Sequence, residues 1–314
     1  DSNTTADDNT GFGYAALATN TTGAGNTAVG SSALVACTTG QRSVAIGFQA
    51  LDAATTGSDN VAVGYEAGGG ITTGIENTFL GYFAGAGTTT TDYNTAVGAS
   101  ALQANTTGAQ NTAIGAKALD SNTTANDNTA LGYDSLTANT TGSNNVALGH
   151  STLKANTTAD SNVAIGRNAL LSNTTGASNV AVGSQAGDAV TTASNGVFIG
   201  GNAGTAVTTG DTNICIGISA GDTLTTGNSN IIIGNTARPS ASGGANQIAM
   251  GVVATCVGDN NFTFGNQGTD SNIAFGATEI TAPSDIRLKE DIQDETVGLD
   301  FLNDLRPVTF IWKK

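Results

Sequence analysis

An all-β parallel β-solenoid, a rod of stacked 17-residue coils, is the fold class this sequence predicts. Three observations lead there: glycine returns at one fixed interval, apolar or β-branched residues flank each of those glycines, and proline and charge are scarce. Such a pattern suits short strands joined by tight turns, each coil resting on the last. Gly, Thr and Asn dominate so heavily that a helical reading is excluded.

The period carries most of the weight. A motif N-[T/V]-A-[V/I/L]-G ends on glycine at positions 13, 30, 47, 64, 81, 98, 115, 132, 149, 166, 183, 200, 217, 234 and 251, and every interval is 17 residues. Counting each unit from its glycine as position 0, position −1 is always apolar, from Phe12 and Val29 to Ile233 and Met250. That column is expected to be a core stripe. Position −2 stays small at Ala28, Ala45, Ala62, Ala96, Ala113 and Ala130, as for a surface pressed against a facing wall. Position −4 is Asn in twelve of the fifteen units, the exceptions being Ser43, Gly196 and Gln247.

Stacking at about 4.8 Å places like residues over one another. Asn is then expected to build an amide ladder inside a turn, and the Thr pairs 21–22, 106–107, 140–141 and 225–226 a β-branched ladder along a strand. Glycine recurs where a turn needs positive φ or close backbone approach. Fifteen coils make a rod of about 70 Å. Residues 1–251 therefore read as a shaft.

Beyond Gly251 the spacing loosens, with the motif recurring at Asn261–Gly265 and Asn272–Gly276 and phenylalanines entering. Residues 252–283 read as an irregular β terminal region that thickens the end of the rod. A boundary falls near Pro283, because the last 31 residues hold 5 basic and 7 acidic residues against 5 and 18 in the preceding 283. Residues 284–314 read as a short α+β segment, helix-compatible from 296 to 305 and strand-like from 308 to 312.

Composition limits the partners. A net charge of −15 with no basic cluster argues against nucleic acid and anionic membrane surfaces, which are bound through Lys and Arg. No apolar run approaches the roughly 18 residues of a membrane span. The chain opens at Asp1 with neither Met nor a basic-then-apolar leader, as expected of a processed product or an excised piece. Three distant cysteines, Cys37, Cys215 and Cys256, read as inert packing residues, with neither a zinc site nor a disulfide framework signalled.

Two resemblances follow from these motifs. The N-[T/V]-A-[V/I]-G repeat resembles the left-handed parallel β-roll of trimeric autotransporter adhesin heads, which also occurs in tail fibres of tailed bacteriophages. The run Ser284-Asp285-Ile286-Arg287-Leu288-Lys289-Glu290-Asp291-Ile292, with Leu302 to Trp312, is similar to the opening of the intramolecular chaperone domain of endosialidases and other phage tail spikes and fibres. The second resemblance implies a homotrimer, aligned by a chaperone segment that is truncated at Lys314. It also implies self-cleavage between Pro283 and Ser284, with Ser284 as nucleophile and Lys289 as the group that activates it. Sliding near-identical repeats by one coil preserves most contacts, so a C-terminal seed is expected to set the alignment.

Together these imply a virion tail fibre that binds other tail proteins and a host surface receptor, a glycan among the candidates. The alternatives are a bacterial surface adhesin head and an extracellular filament subunit. Beyond single-turnover self-cleavage no enzyme is expected, and no cofactor or metal. Aromatic residues at position +1, Tyr14, Phe48, Tyr65, Tyr82 and Tyr133, followed by His150, read as cover for a seam between chains, the alternative being stacking on sugar rings. An ice-binding reading of the Thr pairs is disfavoured because adjacent residues point to opposite faces. Calcium at Asp59-Asn60 or Asp127-Asn128 is disfavoured because the acids do not recur in every coil. The Asn-Thr-Thr triplets at Asn20, Asn105, Asn122, Asn139, Asn156 and Asn173 fit the glycosylation pattern but arise from the repeat itself.

Overall fold

The computed structural model describes residues 4–267 and 269–277. Pro283, Ser284, Lys289 and the expected helix and strand of 284–314 lie outside the described residues. Strands β1 (Thr10–Phe12), β2 (Thr27–Val29) and their successors up to β14 (Ile231–Ile233) are each three residues long. They join β15 (Gln247–Met250), β16 (Asn261–Phe264) and β17 (Ser271–Ala274) in one sheet. Every pairing from β1 to β16 is parallel, and up to β15 each residue faces the one 17 further on, as Ala28 faces Ala45 and Ala45 faces Ala62. β17 departs from expectation: it turns back antiparallel on β16, with Phe262 opposite Ile273, and so closes the sheet instead of adding a coil.

Each strand is short because its flanks leave the extended region. Position −5 is left-handed, as at Asp59 (φ 60°), and the coil glycine is too, as at Gly64 (φ 142°). Glycine is required there on a second count: a Cβ on Gly98 would stand 2.7 Å from the Gly115 carbonyl of the next coil. The backbone N–H of that glycine donates along the rod, as Gly98 N does to Leu80 O at 2.8 Å. Coils thus approach too closely for any side chain on that line.

The core reverses one expectation. Position −2, the middle of each strand, points inward, and Ala28, Ala45, Ala62, Ala96 and Ala113 are fully buried. Position −1 points outward, so the apolar column read as a core stripe is an exposed file, with Leu80 46% and Leu131 41% accessible. Alternation in a strand allows only one of the two columns inside, and a narrow coil admits the smaller one.

Leucines at position +4, among them Leu51, Leu102, Leu119 and Leu170, complete most coils. Some coils carry glycine there instead, and two of the bulkiest buried residues, Phe79 and Phe198, replace alanine at position −2 beside them. A Cβ on Gly68 would meet the Phe79 ring at 2.8 Å, and one on Gly187 the Phe198 ring at 2.9 Å. Leucine–alanine and glycine–phenylalanine are two fillings of one volume. Gly196 explains itself in the same way, since a Cβ there would stand 2.6 Å from Phe198.

Asparagine at position −4 forms the expected ladder. Asn60 Oδ1 accepts the backbone N–H of Asn77 at 2.9 Å, while Asn60 Nδ2 donates to Gly74 O at 2.8 Å. The contact repeats at Asn94, Asn111, Asn128, Asn145, Asn162 and Asn179. A second amide ladder rises through the buried Asn105, Asn122, Asn139, Asn156 and Asn173, each Nδ2 donating to the Oδ1 one coil earlier at 2.8–3.1 Å. It stops at Asn173, whose Oδ1 has no donor because the next residue in the column is Val190.

The Thr pairs lie in bends, not strands. The first Thr of a pair donates its Oγ1 to a carbonyl of the next coil, as Thr55 does to Thr72 O at 3.1 Å. The second points outward, like Thr56 and Thr141.

Phe198→Ala is expected to destabilise the rod by about 3–5 kcal/mol, since neighbouring Gly187 and Gly204 offer no side chain to collapse into the space. Val190→Thr, nearly isosteric, is expected to stabilise it by roughly 0.5–1.5 kcal/mol by giving Asn173 Oδ1 a hydroxyl donor, as Thr88 ends the same ladder at its other side. Denaturant unfolding measures both, and a Val190→Thr rod no more stable than Val190→Ala would refute the ladder account.

Candidate functional site

The outward face of the strand ladder is the feature that stands apart from the rest of the surface. Positions −3 and −1 of all fifteen coils hold only Thr, Val, Ile, Leu, Met and Phe, without one charged residue, in a chain of net charge −15. Position −3 runs from Thr27 and Val44 to Val197, Ile214, Ile231 and Ile248. Contiguous apolar surface of this extent marks an interaction site.

The aromatics of position +1 flank this face. Phe48, Tyr65 and Tyr82 form one pile, with ring centroids 5.2 and 5.4 Å apart and tilts of 17° and 27°. Phe83 meets Tyr82 edge-on at 4.4 Å. Tyr133 stacks on His150 at 5.4 Å. Because the interior rings cover one another's faces, they offer mainly edges outward. Sugar rings need open faces, so this geometry suits an edge-on protein neighbour better.

Acidic residues lie off the apolar face and several serve the backbone. Asp160 Oδ1 accepts Ser143 N–H at 2.6 Å, and Asp211 Oδ1 accepts Ser194 N–H at 2.7 Å. Asp259 does the same for Ala245 at 2.8 Å, which holds its carboxyl below the usual range. Asp59, read above against a calcium role, pairs with Arg42 at 2.7 Å, and this hydrogen bond lowers its pKa. Its neighbour Asn60 is committed to the amide ladder, as is Asn128 beside Asp127.

The Asn-Thr-Thr asparagines are buried, Asn105, Asn122, Asn139, Asn156 and Asn173 completely, so their amides are closed to glycosylation. Among the described residues no helix is long and apolar enough to cross a membrane. Nor do three or more His, Cys, Asp or Glu gather there to hold a metal ion.

All three cysteines are buried. Burial pushes the Cys215 thiol up to about 12 and the Cys256 thiol to about 11. Sequence reasoning identified the repeat and the aromatic file at position +1 but placed position −1 inside. The signal that would have corrected it is position −2, alanine in ten of the fifteen coils and phenylalanine only beside a glycine at +4, as befits the column with the least room.

The described residues thus define a β-solenoid rod whose distinctive surface is a stripe, not a cleft. Residues 284–314, at its C-terminal end, match the family model described as chaperone of endosialidase. A solenoid followed by such a segment is the organisation of a tail-fibre-like structural protein. No curated protein and no solved structure matches the chain.

At pH 8 a thiol reagent is expected to find no cysteine in the folded rod and all three after denaturation. A stoichiometric count of released chromophore checks this, and rapid native labelling of Cys215 would contradict its placement.

Proposed function

We propose that this protein is the shaft of a homotrimeric bacteriophage tail fibre that serves host attachment, holding a receptor-binding element away from the virion. The observation that carries the reading is the uncharged apolar face. Its length is about 70 Å, and columns −3 and −1 together with the bordering +1 file, whose one cation is Arg167, spread over roughly 13 Å, which makes on the order of 900 Å². A stable interface takes about 800 Å² per partner. Copies of the same chain are the partner that offers an equally long, equally uncharged stripe, and three of them bury it around a common axis.

The segment 284–314 supports this reading as the chaperone that starts assembly from the C-terminal end. Its proposed self-cleavage uses Ser284 and Lys289. The Ser284 hydroxyl bonds to the Pro283 carbonyl carbon, Lys289 takes the hydroxyl proton and returns it to the leaving amine, and water then hydrolyses the ester. The virion's other tail proteins and a host surface receptor complete the proposed partners.

The purified chain is expected to sediment as a trimer that resists gentle SDS. Ile114→Glu with Leu131→Glu is expected to leave coil structure intact by circular dichroism while shifting the mass to that of a monomer. A monomeric natural chain would end the proposal. Intact mass is expected to show a cut after Pro283 that is lost in Ser284→Ala and Lys289→Ala, and a cut persisting in both would remove these residues from the chemistry.

A further inference from the structure

Two files border the apolar face, one on each side. Position +1 forms the aromatic corner, and position −5, left-handed in nearly every coil, forms the opposite one. Tyrosine occupies position +1 in four coils, as Tyr14, Tyr65, Tyr82 and Tyr133. A carboxylate occupies position −5 in four coils, as Asp8, Asp59, Glu76 and Asp127. They are the same four coils. The one cation of the −5 file, Arg42, shares its coil with the one phenylalanine of the +1 file, Phe48. Where position +1 shrinks to Ala99, position −5 carries an aromatic, Tyr93.

Nothing within one copy accounts for this matching. The extended strand separates the two corners by at least the ~10 Å of its own length and by up to about 20 Å. Asp59 is held by Arg42 of the preceding coil, and Tyr65 leans on Phe48, Tyr82 and Phe83 with its hydroxyl on Glu66 of its own coil, so these contacts lie along each file and none crosses the stripe. The hydroxyl file and the carboxylate file lie on opposite borders of the stripe, with the strand between them. A neighbouring copy brings them together: in a closed ring of parallel rods, the +1 corner of each copy abuts the −5 corner of the next. All four tyrosines then meet a carboxylate, and phenylalanine meets guanidinium, only at zero axial offset.

We infer that neighbouring copies are joined along their corners by tyrosine–carboxylate pairs, Tyr14 with Asp8, Tyr65 with Asp59, Tyr82 with Glu76 and Tyr133 with Asp127, and that these pairs hold the copies level. The inference rests on the proposal that copies share the apolar face, and adds which edges meet and at what height. A slip of one coil in either direction leaves one tyrosine–carboxylate pair: one way it sets Tyr82 against Asp59, with Tyr65 opposite Arg42 and Tyr133 opposite Gln110, and the other way it sets Tyr65 against Glu76, with Tyr14 opposite Gly25, Tyr82 opposite Tyr93 and Tyr133 opposite Asn144. Axial alignment is thereby written into the shaft, contrary to the expectation that only a C-terminal seed can supply it.

Zero-length coupling tests this on the full chain. Tyr82→Lys and Tyr133→Lys each place an amine where the hydroxyl stood, at exposed positions that the coil does not need for folding. Both variants are expected to assemble like the natural chain. A water-soluble carbodiimide should then join the new amine at 82 to Glu76, and that at 133 to Asp127. Mixing isotope-labelled with unlabelled chains should show that these links run between copies, and the covalent ladder should stop at three chains. Links to carboxylates of other coils, links within one chain, or loss of assembly in the lysine variants would overturn the pairing. So would Tyr82→Glu and Tyr133→Glu rods that assemble with the natural affinity, where at least a tenfold loss is expected, restored by adding Glu76→Lys and Asp127→Lys. These failures leave an oligomeric natural chain and the shaft reading standing, whereas a monomeric natural chain removes both.

Discussion

The axial spacing between coils is the constraint on which the rest of the molecule depends. Backbone amides donate from coil to coil along nearly the whole circuit, from the strand (Val44 N to Asn60 O, 2.8 Å) through the turn (Gly68 N to Ala84 O, 2.9 Å) to the bend (Thr55 N to Thr72 O, 2.9 Å). A ladder of this kind keeps the coil length at 17 from β1 to β15, and where it shortens to 14, between Gln247 and Asn261, the strands pair in parallel once more before the sheet turns back. It also sets what each column can contain. Glycine stands where carbonyls of the next coil crowd the Cβ position, and asparagine stands where a turn leaves both an amide and a carbonyl to be satisfied. The period is a consequence of hydrogen-bond accounting, not of any one side chain.

Inside that frame, the narrow interior behaves as a series of small volumes shared between adjacent coils. Most levels fill it with leucine from the turn and alanine from the strand, and the exceptions trade the two. Phe79 and Phe198 enter from the strand only where Gly68, Gly85, Gly187 and Gly204 clear the turn. The same accommodation reaches the polar ladders. Asparagine gives way to Gly196 where the phenylalanine ring takes its place, and the second amide ladder ends where the column becomes Val190. The exchange is made column by column: the second ladder's column is asparagine from Asn105 to Asn173 and apolar from Val190 onward, whereas Asn77 keeps its ladder place in the same coil as Phe79.

Much of this was legible in the sequence because the period is so regular: coil length, parallel pairing, the glycine line and the first amide ladder all follow from columns read at one spacing. Facing was not. A three-residue strand offers two outward positions and one inward, so hydrophobicity alone pointed to Val29, Ile46 and Val63 as core, while Ala28, Ala45 and Ala62 actually fill it. The reversal of β17 was equally hidden, since Asn272–Gly276 repeats the motif letters while running the other way. The Thr pairs misled because β-branching suggested a strand, yet Thr55 spends its hydroxyl on a bend carbonyl. Residues 284–314, by contrast, were legible through their motif.

The outward turn of the apolar column changes what the repeat means. A rod with 5 basic and 18 acidic residues in its first 283 would repel its copies at close range unless the contact face were free of charge. Here the carboxylates stand at a corner, on backbone caps and in the turn, where Asp134 pairs with Lys154 and Asp222 with Arg238, leaving the strand face bare. Such a face is adhesive but uninformative, because Val, Ile and Leu recur at every level and fit equally well after a slip. Information has to come from columns that break the period while the backbone keeps it. Those columns are the two corners, where selection on packing is weak within one copy and the residues still vary together. The division follows from the physics: the buried ladder demands sameness, so whatever distinguishes one level from another is carried at the edges.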